Sequence, residues 1–253
     1  MIKTIFNRII IFCIVIFSMT LSAQQSSMIE NQVTQALAAP YRTDRDRHAD
    51  TYRLPAATLA YFGLKNDMRV IELIPGGGYY TKILGQVLAD NGKLYLGAGV
   101  NNVAEDLPKW DLETVEIMDD KFEMARGAQR GYNVVNSVEF KERNVDMVLT
   151  FRNMHNMAPE SRKLLNIEVF KALKSGGIYG IIDHTRRHME PYIEQRWRRV
   201  DPVGLIKELQ ELGFVFVDYS DLHYRPNDAL TLDSTDASIG RDSDRFTMKF
   251  LKP

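Results

Sequence analysis

Three residues of this chain stand where a proton can be moved. His155 follows an apolar run at 146–151, and Asp183 and His184 follow a second at 178–182. Apolar runs of that length between turn signals read as buried strands, so each delivers polar side chains to the edge of a sheet. An imidazole ordinarily titrates near neutrality, which makes His155 the candidate proton acceptor for a hydroxyl or amine nucleophile. A carboxylate beside an imidazole fixes its tautomer and stabilises its charged form. Adjacent residues on a strand point to opposite faces, so Asp183 is expected to orient His155 rather than His184. Two other readings share these residues: a hydrogen-bonded histidine with no chemical role, and a divalent-metal site of two imidazoles and one carboxylate. The spacing is neither helical nor that of a short ligand loop, and no metal ligand is assigned.

The second constellation is a turn. Val70-Ile71-Glu72-Leu73-Ile74-Pro75-Gly76-Gly77-Gly78-Tyr79-Tyr80-Thr81 carries a strand, an acidic residue and a glycine run that opens a helix. Such a turn aims backbone amides and a helix N-terminus at a ligand, and glycine permits close approach to the backbone. A dinucleotide site wants Gly-x-Gly-x-x-Gly, but Thr81 stands where the third glycine belongs, which argues against that reading.

Strands alternating with helices must position these residues. The apolar patterns predict strands at 68–74, 94–96, 146–151, 178–182, 214–219 and 246–251, and helices at 54–62, 81–88 and 159–173. A further helix opens at Asp201 as N-cap with Pro202 at its first position, and Gly213 ends it. The turn Ser175-Gly176-Gly177 precedes the fourth strand, and residues 101–137 show no clear pattern. This is the layout of an open, mostly parallel sheet covered on both faces. Residues 24–53 read as a polar extension, or as a lid whose Arg42, Arg45 and Arg47 reach an anionic group; residues 54–253 form the main domain. His48, His188 and His223 read as surface residues. Trp197-Arg198-Arg199 and Tyr224-Arg225-Pro226-Asn227-Asp228 read as a charged solvated face, with a substrate wall as the alternative.

Residues 1–23 are expected to be a signal peptide: Lys3 and Arg8, then an apolar run from Ile9 to Phe17, then Ala23. The run is shorter than the roughly 20 residues that span a bilayer. The protein is therefore expected to be exported, periplasmic or secreted, with no stable membrane insertion after cleavage; an uncleaved anchor is the alternative. Cys13, the single cysteine, leaves with the signal. With Lys3 and Arg8 gone, 30 basic and 33 acidic residues remain, a net of −3. Basic residues are scattered rather than striped, which excludes a nucleic-acid binder and points to a small-molecule substrate.

From Arg42 to Pro253 the chain resembles the class I S-adenosylmethionine-dependent methyltransferases, in particular a branch of signal-peptide-bearing bacterial predicted methyltransferases. The resemblance rests on Arg45-Asp46, the 61–64 helix end, the 72–81 turn, Leu149-Thr150-Phe151-Arg152-Asn153-Met154-His155, Ala172-Leu173-Lys174-Ser175-Gly176-Gly177, Asp183-His184, Gly213-Phe214 and Asp244-Arg245-Phe246. It implies a Rossmann-like seven-stranded sheet with an antiparallel last strand, and methyl transfer to a small acceptor. The implied cofactor is S-adenosylmethionine, held by Glu72, Pro75, Gly76, Gly77, Gly78, Tyr80 and Asn153, with His155, Asp183 and His184 as catalytic candidates. The chain departs from the class in two places. Ile74 and Pro75 stand where the class places Gly-x, and Leu94-Tyr95-Leu96-Gly97-Ala98-Gly99 offers no acid to grip the ribose. Glu105 or Asp106 reaching in is one solution; weak or lost ribose recognition is the other. The export signal and the missing acid also fit a non-catalytic or repurposed ligand-binding domain of the same fold.

Overall fold

The computed structural model describes residue 24 and residues 27–253; the expected signal peptide lies outside the described residues. Helices are α1 (27–37), α2 (Asp44–Arg53), α3 (Pro55–Phe62), α4 (Tyr79–Val87), α5 (Asn101–Ala104), α6 (Pro159–Ala172) and α7 (Pro202–Glu211). Strands are β1 (Arg69–Leu73), β2 (Lys93–Gly97), β3 (Val115–Ile117), β4 (Lys121–Arg126), β5 (Asn133–Glu139), β6 (Val145–Phe151), β7 (Leu173–His184), β8 (Val215–Ser220) and β9 (Arg245–Leu251). Among the described residues, no helix is long and apolar enough to cross a membrane.

Seven strands form one sheet in the order β3-β2-β1-β6-β7-β9-β8. Pairing is parallel from β3 to β7, and β9 runs antiparallel to both β7 and β8. This is the Rossmann-like sheet with a reversed last strand. The strands read as continuous apolar runs because both faces are covered. In β1, Val70 enters one core cluster and Ile71 the other; in β6, Met147 and Leu149 oppose Val148 in the same way. Chain order reverses between β1 and β6, and at such a switch point the carboxyl ends of neighbouring strands leave a crevice for a ligand.

Several expectations change. The turn expected at Ser175-Gly176-Gly177 lies inside the longer β7, where pairing with β6 shifts register between Val145 and Met147. The unpatterned stretch 101–137 holds α5, β3 and β4, and leads into β5; β4 and β5 form a separate antiparallel hairpin. Residues 24–53 are not merely a polar extension. Ile29, Val33, Ala36 and Ala49 are buried in the core cluster beneath α3 and α4. Thr43 caps α2 reciprocally with Asp46, and Asp46 forms a buried ion pair with Lys82 of α4 at 2.7 Å. Helix α2 ends at Leu54, whose φ of 45° turns the chain directly into Pro55 of α3. Of the expected lid arginines, Arg42 pairs with Asp50 at 2.6 Å and Arg47 bonds backbone carbonyls, while Arg45 alone lines the cleft.

Candidate functional site

A cleft of about 670 Å³ opens at the carboxyl ends of β1, β6 and β7, with α2 as its outer wall. Its floor is the glycine turn. An added Cβ would meet nothing within 4 Å at Gly76 or Gly77, so their backbone faces open space. Gly78 is different. At φ 76° its bare face is filled by Trp110, and a Cβ there would clash with that ring. Gly78 is therefore required by packing, and unlike Gly76 and Gly77 it does not line the cleft. Left-handed residues cluster at this edge: Ile74 (φ 50°), Ala98 (φ 57°) and Arg152 (φ 64°) stand just beyond β1, β2 and β6. Non-glycine residues held there store strain, which a fold retains where a site requires it.

Glu72 lies under the turn, 2 % exposed, and accepts a hydrogen bond from Thr81 Oγ1 at 2.6 Å. Burial pushes its carboxyl up to about 8, against the opposing pull of Thr81 and Arg53. Tyr80 stacks on Phe151 with ring centres 3.6 Å apart, and both line the cleft. Asn153 also lines it, but its amide donates to the carbonyls of Leu73 and Ile74 and to Thr150 Oγ1. Asn153 thus clamps β6 to the end of β1, and its NH2 group is committed to the turn's backbone and Thr150.

His155 sits in a short 3-10 turn, Met154–Asn156, that follows β6. Asp183, fully buried at the end of β7, accepts from the His155 backbone N–H at 3.1 Å and meets His155 Nδ1 at 2.5 Å. A carboxylate has no proton to give, so Nδ1–H donates, and in the neutral ring Nε2 keeps a lone pair. Asp183 also accepts from the His184 backbone N–H at 2.7 Å. Its carboxylate therefore orients His155, not the His184 ring. His184 bonds Ser243 Oγ through Nδ1 at 2.8 Å, with its ring 5.6 Å from that of His155. Burial, and then the charges of neighbouring groups, hold the His184 imidazole well below its ordinary range, so it is neutral. Both rings line the cleft. Among the described residues, no group of three or more His, Cys, Asp or Glu is arranged to hold a metal ion.

Two surface expectations fail. His223 is buried; its Nε2 donates to the Arg53 carbonyl at 3.0 Å, which leaves Nδ1 to accept from Thr247 Oγ1 at 2.7 Å. Burial pushes this imidazole down to about 4. Arg199 is likewise buried and pairs with Asp228 at 2.9 Å, joining the two segments expected to be solvated, while Arg198 lines the cleft. By contrast His48 and His188 are exposed, and His188 pairs with Asp201 at 3.0 Å.

Other residues escaped sequence reasoning. The end of β2 does carry an acid, supplied from beyond β3: Asp120 Oδ2 accepts from the Ala98 N–H at 2.8 Å. The only signal was an Asp-Asp pair after a weak apolar run. Asp106 also lines the cleft and pairs with Lys109, whereas Glu105 does not line it. Trp110 and Arg53 gave no signal, because distant parts of the chain bring them to the glycine turn and the cleft; Arg245 stood only within the Asp244-Arg245-Phe246 mark, with no role attached.

No family model and no curated protein matches this sequence. The fold does match solved structures. An S-adenosylmethionine-dependent methyltransferase from Aquifex aeolicus superposes with a TM-score of 0.53 at 16% identity, covering 84% of this chain and all of that one. A chain of the Haloferax volcanii complex of a methyltransferase with the Trm112 methyltransferase activator gives 0.55 at 14% identity, over 89% of this chain and 97% of that one. The [4+2]-cyclase SpnF gives 0.55 at 17% identity, over 79% and 81%. The strand order, the reversed last strand and the glycine turn at the switch point are thus those of the class I methyltransferase fold.

Proposed function

We propose that this protein is an S-adenosylmethionine-dependent methyltransferase acting on a small molecule, and that it belongs to the exported branch its sequence resembles. One observation carries the reading: the open backbone of Gly76 and Gly77, at the switch point of this fold, faces the same cleft as the His155–Asp183 pair. Pro75, Gly76 and Gly77 would hold the cofactor, with Tyr80 and Glu72 beside them. When bound, it supplies a methyl group on a sulfonium, an electrophile that needs no metal. The chain's own part is orientation and proton removal. Asp183 fixes the His155 ring, Nε2 stands free to accept the proton of a hydroxyl or amine, and neutral His184 lines the same wall. Helix α2 covers the cleft and limits water.

The test is calorimetric titration of the purified protein with adenosylmethionine and adenosylhomocysteine. Gly77→Leu places a side chain in open space without a left-handed backbone to strain, and should weaken both at least tenfold, about 1.4 kcal/mol. No binding to the parent protein at millimolar ligand would replace this reading with that of a non-catalytic ligand-binding domain.

A further inference from the structure

Three of the fully buried arginines come with a carboxylate. Arg199 pairs with Asp228, Arg42 with Asp50 and Arg162 with Glu208, at 2.9, 2.6 and 2.6 Å. The fourth, Arg245, breaks the pattern, and two partly buried arginines gather with it. Arg53 at the end of α2, Arg152 just past β6 and Arg245 at the start of β9 converge with Tyr52, Tyr80 and Phe151 on a side pocket that adjoins the main cleft. Among the described residues none of the three has an ion-pair partner. Arg245 is 6 % exposed, yet its Nε and Nη1 are buried without a hydrogen bond, and Nη2 reaches only the Arg241 carbonyl at 3.4 Å. Arg53 Nε is also buried and unpartnered.

Aromatic rings do not resolve this. Arg53 lies 4.1 Å over Tyr79 and Arg245 5.7 Å over Tyr52, but the N–H donors of a guanidinium lie in its plane, so covering a face leaves them unfilled. Glu72 makes no ion pair with any of the three; its carboxyl bonds Thr81, and burial raises its pKa. Burial, followed by neighbouring guanidinium groups, pushes Arg152 and Arg245 down to about 10. A folded chain that holds three like charges together, with buried donors of Arg53 and Arg245 unfilled, is arranged to receive an anion.

We propose that Arg53, Arg152 and Arg245 form an oxyanion subsite that seats the carboxylate or phosphate head of the molecule processed in the cleft. Identifying that molecule as the methyl acceptor rests on the methyltransferase reading above. Position favours the acceptor over the donor. Arg245 stands opposite His184 in the β7–β9 register, whereas Pro75, Gly76 and Gly77 line the main cleft and not the side pocket. The side pocket holds about 10 Å³, the space of one water-sized sphere. It takes an oxygen of the head group, and the body of the molecule remains in the main cleft beside His155 and His184.

Calorimetric titration of the purified protein with inorganic phosphate and, separately, with acetate reads the subsite without a methyl donor. At least one is expected to bind at millimolar concentration, phosphate for a tetrahedral head and acetate for a planar one. Arg245→Met should weaken that binding at least tenfold while leaving Tm unchanged or raised, because it removes an unpaired buried charge. Arg53→Met gives the same readout should Arg245→Met fail to fold. If neither anion binds the parent protein, or if binding survives both substitutions, the proposal is overturned. Adenosylhomocysteine affinity within twofold of the parent in Arg245→Met supports the acceptor assignment; a tenfold loss assigns the seat to the donor's own carboxylate and overturns it. Should adenosylhomocysteine not bind the parent while anion binding still depends on Arg245, the subsite stands and the methyltransferase reading falls.

Discussion

Glu72→Gln should make the protein's stability less sensitive to alkali, because Glu72 is an acid held away from water. Burial raises its carboxyl from 4.5 to about 8, outweighing Thr81 and Arg53. With the folded-state pKa above the unfolded one, the folded chain keeps a proton that the unfolded chain has already lost. The associated stability is complete below pH 4.5 and is lost as pH rises toward 8. A tenfold change in a protonation equilibrium is worth about 1.4 kcal/mol, so a rise of this order costs up to about 5 kcal/mol by pH 9. Glutamine keeps the shape and an oxygen for Thr81, and does not titrate. Urea unfolding of both proteins at pH 5, 7 and 9 gives the difference at each pH. The variant should exceed the parent by under about 1 kcal/mol at pH 5 and by several at pH 9. The difference matters because His223, held down at about 4, acts the opposite way: its contribution is present above pH 6.5 and lost as pH falls toward 4. That slope is common to both proteins and cancels. A difference that stays flat from pH 5 to 9 would mean that Glu72 is ionised in the folded chain, and that burial does not govern its proton.

Three further outcomes are expected. His155→Ala should lower turnover by about 10²–10⁴ with donor affinity near that of the parent, and Asp183→Asn should show a milder form of the defect; normal turnover by a folded His155→Ala protein would make the dyad structural. Asp46→Ala removes both an α2 cap and the partner of buried Lys82, and should cost about 3–5 kcal/mol in urea unfolding, whereas a loss below about 1 kcal/mol would show that α2 contributes little to stability. Gly78→Ala meets Trp110 from a left-handed backbone and should destabilise by roughly 2–4 kcal/mol, yet the folded fraction should bind donor normally, as titration at low temperature can check.

Parts of this fold and site were legible in the residues, and the illegible parts have physical reasons. Strands β1, β6 and β7 are covered on both faces, so their sequences carry apolar runs, and His155 and Asp183 follow them in plain view. The β4–β5 hairpin is mostly exposed, so no apolar face marks it. In α1, Ile29, Val33 and Ala36 do fall at helical spacing, but they sit in a polar context, too weak a signal to stand out. An acid at the end of β2 was sought on β2 itself, whereas Asp120 follows β3 and bonds the Ala98 N–H from there. Only tertiary pairing brings it there. The same holds for Arg53, Arg152 and Arg245: two of them stand in stretches the resemblance marks, but only tertiary structure brings the three together. At Gly78 the motif records where glycine stands, not which neighbour requires it.

The hydrogen bond from His223 to the Arg53 carbonyl spans 170 residues, and Lys249 reaches the Tyr61 carbonyl across 188. The helices made first are therefore locked by the segment made last. At ribosomal rates of about 5–20 residues per second, the end of α2 waits roughly 10–40 s for its partners to be synthesised. Throughout that interval α2 and α3 rest on their early neighbours alone, and the carboxyl-terminal side of the cleft is open. The finished molecule is closed by its own last strand, like a case whose clasp is fitted at the end of assembly.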